Sequence, residues 1–147
     1  MSASTVRILQ IDPYHKIYGM LVPILAQRLA ESLEAVGDGT NEFLFQFMSQ
    51  LWGKDPGVAL VAAIDPQGNV KGHTAAQVQG TQAFFLQPRL DEPTENDAIG
   101  EMMEWVENWA KGLKMTQLTL VARRLDAKWS KKYGLEVSRY ILTKELA

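Results

Sequence analysis

Apolar positions change their period twice along this chain, and each change marks a new kind of element. The opening run Val6-Arg7-Ile8-Leu9-Gln10-Ile11 alternates and stops at Asp12-Pro13, which predicts a short first strand. Tyr18, Val22, Leu25, Leu29 and Leu33 then recur at three- and four-residue spacing, the stripe of an amphipathic helix ending at Gly37-Asp38-Gly39. Pro23 must lie in the first turn of that helix or kink it, because a mid-helix proline costs ~3 kcal/mol. Thr40 or Asn41 can cap a second helix, with Leu44, Phe47, Met48 and Leu51 on its buried face. Phe43, Phe45 and Trp52 make this segment apolar beyond one stripe, so it should pack on two sides or cover a groove.

From Gly57 the helical period is lost, and Val58-Ala59-Leu60-Val61-Ala62-Ala63-Ile64 reads as a strand buried on both faces. Asp65-Pro66-Gln67-Gly68-Asn69 supplies a turn, so the chain should return antiparallel with Val70, Gly72, Thr74, Ala76 and Val78 on one face. A third strand runs from Gln82 to Gln87. An acidic loop then leads into a long helix with Ile99, Met102, Met103, Val106, Ala110 and Leu113 inward, closing near Lys111 and Gly112. Gln117 to Val121 is a further strand, Leu125 to Lys132 a short helix and Val137 to Thr143 a last strand. This order predicts one α/β (α+β) domain over 1–147, a central mixed sheet of about six strands flanked by about four helices.

Composition narrows the function more than the fold. A length of 147 residues with 46% hydrophobic residues suits one well-buried core. A formal net charge of -2 gives no global basic field, so neither nucleic acid nor a membrane surface is an expected partner. The absence of cysteine excludes disulfides, zinc–thiolate sites and a thiol nucleophile. The N-terminal stretch is broken by Arg7, Asp12 and Pro13 and lacks the apolar core of a secretory signal, and no run approaches the roughly 20 apolar residues that span a bilayer. A soluble intracellular, cytoplasmic protein is expected.

The strand-to-helix junction carries Asp91, Glu92, Glu95 and Asp97 and no glycine before Gly100. Such junctions are where many α/β folds hold a phosphate on free helix N–H groups, and acid there repels one. Capping explains it: Thr94 as the cap, Asp97 at the capping-box position and Glu95 complementing the dipole, each for ~0.3–1 kcal/mol. Nothing in the spacing of Asp91, Glu92 and Glu95 demands a metal ion. With only His15 and His73, no histidine-rich metal site or convincing Ser-His-Asp arrangement exists, and His73 reads as an outward or hydrogen-bonded strand residue. Arg123, Arg124, Lys128, Lys131 and Lys132 form a basic run that is either a solvated helix face or a receiver for a phosphate-bearing ligand or acidic partner. Opposite the acidic loop, it could also support a head-to-tail contact between copies. Trp105 and Trp109 stand four apart beside the apolar stripe, as core packing or as a partner-binding ridge.

This succession, with a tail reading Trp129-Ser130-Lys131-Lys132-Tyr133-Gly134-Leu135-Glu136-Val137-Ser138-Arg139-Tyr140, resembles the GNAT acetyltransferase superfamily. The likeness spans nearly the whole chain in element order, but in motif it rests on the last quarter. There Lys132-Tyr133-Gly134-Leu135 matches the family's lysine-rich turn, glycine and apolar residue before the final strand. The resemblance implies a GNAT-like fold and acetyl transfer from acetyl-CoA to an amine, with the cofactor held where two neighbouring parallel strands splay apart. Taken residue by residue, the carry-over departs from the pattern. The family's Gln/Arg-x-x-Gly-x-Gly/Ala loop, whose amides hold the CoA pyrophosphate, is missing between Gln87 and Gly100. Its tyrosine that protonates the leaving thiolate falls on Ser130, a far weaker acid, and its asparagine after the fifth strand falls near Arg123-Arg124.

Two readings stand. In the first, a degenerate, non-catalytic copy works as a binding or assembly module, with a protein partner or as a homo-oligomer; a phage-encoded virion structural component is one setting. In the alternative, a divergent N-acetyltransferase holds acetyl-CoA through Arg123 or Arg124 and acts on an unspecified amine, with Ser130 and Asp91 as the candidates for proton transfer. The first reading is the one the altered motifs favour.

Overall fold

The computed structural model describes residues 4–34 and 40–121. The expected short helix over 125–132 and last strand over 137–143 lie outside the described residues. The described strands are β1 (Arg7–Gln10), β2 (Val58–Ile64), β3 (Val70–Gln79), β4 (Gln82–Leu86), β5 (Arg89–Leu90) and β6 (Gln117–Val121). They form one sheet in the order β1-β2-β3-β4-β6, with β5 beside β3. A 3-10 turn (Tyr18–Leu21) leads into helix α1 (Val22–Glu34), followed by α2 (Thr40–Trp52) and, after β5, α3 (Ala98–Gly112). The strand β5 is an addition to the expected layout, in a stretch read as loop.

β2 is buried along its whole length because helices cover both faces of the sheet. Its Leu60, Ala62 and Ile64 join Leu25 and Leu29 of α1 and Phe47 of α2 in one core, while Ala59, Val61 and Ala63 pack with Met102 of α3 in the other. Each fully buried Leu, Val or Phe side chain contributes ~1.5–3 kcal/mol, so the two-sided burial of this strand anchors the domain. Pro23 stands at the second position of α1, where its missing N–H has no helical partner to lose. Trp105 and Trp109 are half-buried and pack against the α3-side cores. On α3, Met102, Met103, Val106 and Ala110 are buried as expected, but Leu113 lies past the last turn and is only half-buried. Phe45 on α2 is 77% exposed and covers no groove among the described residues.

Among the described residues every strand pair is antiparallel except β4 with β6, which run parallel from Gln82↔Gln117 to Leu86↔Val121 with α3 as the crossover. Between β2 and β3 the Asp65 carboxylate accepts the Gln67 and Asn69 N–H groups at 3.0 and 2.8 Å, and Gly68 supplies a φ of 86°. Those donors, Asn69 first, hold the Asp65 carboxyl below the usual carboxylate range. Past Phe85 the chain leaves β3: Thr74 donates its hydroxyl to Leu86 O at 2.6 Å, and Gln87 N donates to Val121 O at 3.1 Å. It rejoins β3 as β5, where Arg89 pairs with His73 and Leu90 with Gly72. This return delivers the acidic segment to the start of α3.

Candidate functional site

The acidic junction is built into the fold through nearly every one of its polar residues. Asp91 forms an ion pair with Arg28 of α1, and its N–H donates to Lys71 O at 2.8 Å. Glu92 receives Lys71 Nζ at 2.6 Å, and Asp65 Oδ2 lies 3.9 Å from the same ammonium. The hydrogen bond to Glu92 is the main reason the Lys71 ammonium is held above the ordinary lysine range. Glu95 takes the Thr5 hydroxyl at 2.7 Å and gives its N–H to Ser4 O at 3.0 Å. Next to it, the Asn96 carboxamide accepts Val6 N–H at 2.9 Å and donates to Val6 O at 3.1 Å, as the backbone of a neighbouring strand would. Asn96 also donates to the Glu101 carboxylate.

The helix start itself differs from the capping box expected at Thr94. Thr94 turns its hydroxyl to Asn96 O at 2.7 Å, and Asp97 is the N-cap, its carboxylate accepting Gly100 N–H at 3.1 Å. The local pattern suited Thr94, but Glu95 is held by the N-terminal segment, so the helix begins only after Asp97. A Cβ on Gly100 would stand 2.3 Å from Asp97 Oδ2, so glycine is what allows the carboxylate to fold over the helix end. Ala98 N–H donates to Asn96 O and Glu101 N–H to Asp97 O, both at 2.9 Å. The amides of Ala98, Gly100 and Glu101 are thus engaged within the protein. A carboxylate already occupies the positive end of the dipole, where an anionic ligand would otherwise be stabilised.

A second polar group lies under α1. His73 is buried, and its Nε2 sits 3.3 Å from Ser32 Oγ, while Nδ1 has no hydrogen-bond partner among the described residues. Burial first, then the nearby Arg28 guanidinium, push the imidazole down to about 4, so it is neutral near pH 7. An unpartnered buried acceptor is cheaper than an unpartnered donor, which favours the tautomer with the proton on Nε2, donating to Ser32. His73 is therefore hydrogen-bonded and inward, because β3 is a central strand covered on both sides. Towards the end of β3, Gln79, Gln77, Gln50 and Asp55 form a separate chain of side-chain hydrogen bonds at 3.1, 2.6 and 3.1 Å.

Of the residues singled out from sequence, Asp91 is committed to the Arg28 guanidinium. Ser130, Arg123 and Arg124 lie outside the described residues, as does Trp129. Sequence reasoning missed Arg28, Lys71, Asn96 and Ser32. The available signal was Gly72, since a glycine inside a strand marks close approach by another backbone, here β5. Among the described residues, no group of histidine, aspartate and glutamate is placed to hold a metal ion, and no helix is long and apolar enough to cross a membrane.

An antiparallel run of strands, a parallel pair bridged by α3 and two helices on the opposite face together make a GNAT-like fold. The chain superposes on an acetyltransferase from Clostridium acetobutylicum solved with acetyl-CoA, with a TM-score of 0.68, 18% identity and coverage of 95% of this chain and 96% of that one. It is also similar to a Pyrococcus furiosus protein assigned as an acetyl transferase without a demonstrated activity in its description (TM-score 0.67, 13% identity, 96% and 99% covered). An aminoglycoside N-acetyltransferase solved with CoA gives a TM-score of 0.67 at 12% identity, with 97% and 95% covered. No protein-family model and no curated protein matches the sequence.

Proposed function

We propose that this chain keeps the GNAT-like fold as a binding or assembly module and does not turn over acetyl-CoA. One observation carries the reading: the Asp97 carboxylate is folded onto the Gly100 amide at the start of α3. In the family that this chain resembles, amides at that turn hold the CoA pyrophosphate. Here a diphosphate would have to displace a bound carboxylate and approach Asp91, Glu92, Glu95 and Glu101, with Arg28 and Lys71 already paired to the loop. Two like charges 4 Å apart repel by about 4 kcal/mol at an effective dielectric of 20, so a phosphate beside the Asp97 carboxylate would lose more than one or two amide hydrogen bonds return. Calorimetric titration with acetyl-CoA and CoA tests the reading. No saturable heat at millimolar cofactor is expected; saturable micromolar binding overturns it.

The second reading, a divergent N-acetyltransferase, is supported by the likeness to structures solved with acetyl-CoA and with CoA. In it, an amine nitrogen attacks the thioester carbonyl carbon, the C–S bond breaks and the thiolate takes a proton. Arg123 or Arg124 would receive the phosphates, Ser130 would supply the thiolate proton, and Asp91 would act on the amine through water. This reading requires cofactor binding that disappears on Arg124→Ala, together with amine-dependent release of free thiol.

A further inference from the structure

The segment from Asp12 to Leu21 joins β1 to α1 through a folded turn with His15 at its centre. The His15 N–H donates to Asp12 O and His15 O accepts the Gly19 N–H, both at 3.0 Å. The Asp12 carboxylate accepts the Tyr14 N–H at 2.9 Å. Gly19 comes so close to the first corner that a Cβ on it would stand 2.4 Å from Pro13 O. The imidazole completes the turn: His15 Nδ1 accepts the N–H groups of Ile17 and Tyr18, both at 3.1 Å. These are the second and third amides after it, the two that an Asn or Asp side chain takes at a helix N-cap. The ring stacks on Tyr18 with centroids 5.0 Å apart, and the Tyr18 hydroxyl accepts from Arg7 of β1 at 3.2 Å.

A ring nitrogen that accepts two N–H groups carries no proton, so in this arrangement the proton of the imidazole is on Nε2. Protonation of Nδ1 turns the acceptor into a donor that faces two donors, and neither backbone bond survives it. An Asn or Asp in the same place would have no such second state, because its oxygen goes on accepting. The charged groups around the turn are of both signs. Asp12 favours an imidazolium, while Lys16, Arg7 behind Tyr18 and Lys54, which sits 4.7 Å from the Tyr14 ring centroid, oppose it. An aromatic face accepts a cation as well as a neutral ring, so stacking on Tyr18 can persist while the two backbone bonds part. His73 differs, because its Nε2 meets a hydroxyl that can either donate or accept.

We propose that His15 is a proton-operated clasp on the entry to α1: the turn is closed when the imidazole is neutral, and the Ile17 and Tyr18 amides are released when it is protonated. Histidine is the side chain whose charge changes between about pH 5 and 8, so mild acid sets the conformation of this segment. The same segment carries Tyr14, whose hydroxyl donates to Trp52 O at 2.5 Å, so its opening bears on how β1 and α1 meet the end of α2. The inference stands independently of whether the protein binds acetyl-CoA. Amide exchange followed by NMR on the full chain from about pH 8 to about pH 5 tests it, with each rate divided by the unstructured rate at the same pH. Protection of the Ile17 and Tyr18 amides should fall about fivefold in step with protonation of the His15 ring, the change that losing one hydrogen bond gives. His15→Asn, whose side-chain oxygen can take the same two N–H groups, should keep that protection at both ends of the range, and His15→Ala should lack it at both. His73 is intact in these variants, so a loss transmitted from His73 would appear in His15→Asn as well. Wild-type protection that ignores the titration of the ring overturns the proposal, as does an equal loss in His15→Asn or full protection in His15→Ala.

Discussion

The Asp97 carboxylate and the backbone of Gly100 are made for one another: Oδ1 accepts the Gly100 N–H at 3.1 Å, and any Cβ on residue 100 would lie 2.3 Å from Oδ2. Removing the cap by Asp97→Ala should cost about 1 kcal/mol. Gly100→Ala adds about 1 kcal/mol of helix propensity but displaces the cap, so the two effects nearly cancel. In an Asp97→Ala background nothing is left to displace, and Gly100→Ala should stabilise. Chemical denaturation of the four proteins of this cycle should give a coupling of about 1 kcal/mol; additive effects would mean that residue 100 does not serve the cap.

Asn96 ties the acidic segment to the N-terminal strand. Asn96→Ala leaves the Val6 N–H and C=O without their carboxamide partner, and Val6 is buried. A loss of ~1–3 kcal/mol is expected. Hydrogen exchange at the Val6 amide should rise by more than that of amides in β2, because the lesion is local to the edge of the sheet.

Gly72 permits the close approach of β5. A Cβ there would meet Arg89 O at 2.5 Å and Leu90 Cδ2 at 2.7 Å, and the first of these is backbone that cannot turn aside. Gly72→Ala should therefore destabilise by ~1–3 kcal/mol, the usual range for overpacking. Exchange at the Asp91 amide, which donates to Lys71 O, should report the loosening of β5.

His73 makes stability depend on mild acid. Its folded pKa of about 4 lies below the ordinary 6.5, so between these values the unfolded chain binds more protons than the folded one. Stability is thus complete above pH 6.5 and falls as pH drops toward 4, by up to about 3 kcal/mol. Arg28 of α1 and Arg89 of β5 oppose the imidazolium and Asp91 favours it. Asp65, whose pKa is lowered, adds its own loss only at more acid pH, below the unfolded carboxylate value. Denaturation midpoints of His73→Leu measured from pH 4 to 7 should be much flatter than those of the wild type; parallel curves would show that His73 is not the group that titrates.

Much of the framework was legible because it rests on local period. The seven apolar residues of β2, the Asp65–Asn69 turn and Pro23 in the first turn of α1 all stand where the pattern put them. The junction was legible in charge but not in partners. Thr94 fits a capping box by spacing alone, and only the pairing of Glu95 and Asn96 with Ser4 to Val6, some 90 residues earlier in the chain, moves the helix start to Asp97. The ion pairs of Arg28 and Lys71 likewise join residues far apart in sequence. β5 is two residues long, too short for any alternation to show, and whether His73 pointed outward or was hydrogen-bonded inside stayed open because a period of two says which residues share a face but not whether both faces are covered.

The claim that the start of α3 is closed to the cofactor is tested most directly at its own amides. In ¹⁵N-labelled protein titrated with CoA, the Ala98, Gly100 and Glu101 amide resonances should stay in place up to millimolar ligand. Saturable shifts of Gly100 and its neighbours at micromolar CoA would contradict the account, because they would show a phosphate in the position that Asp97 holds.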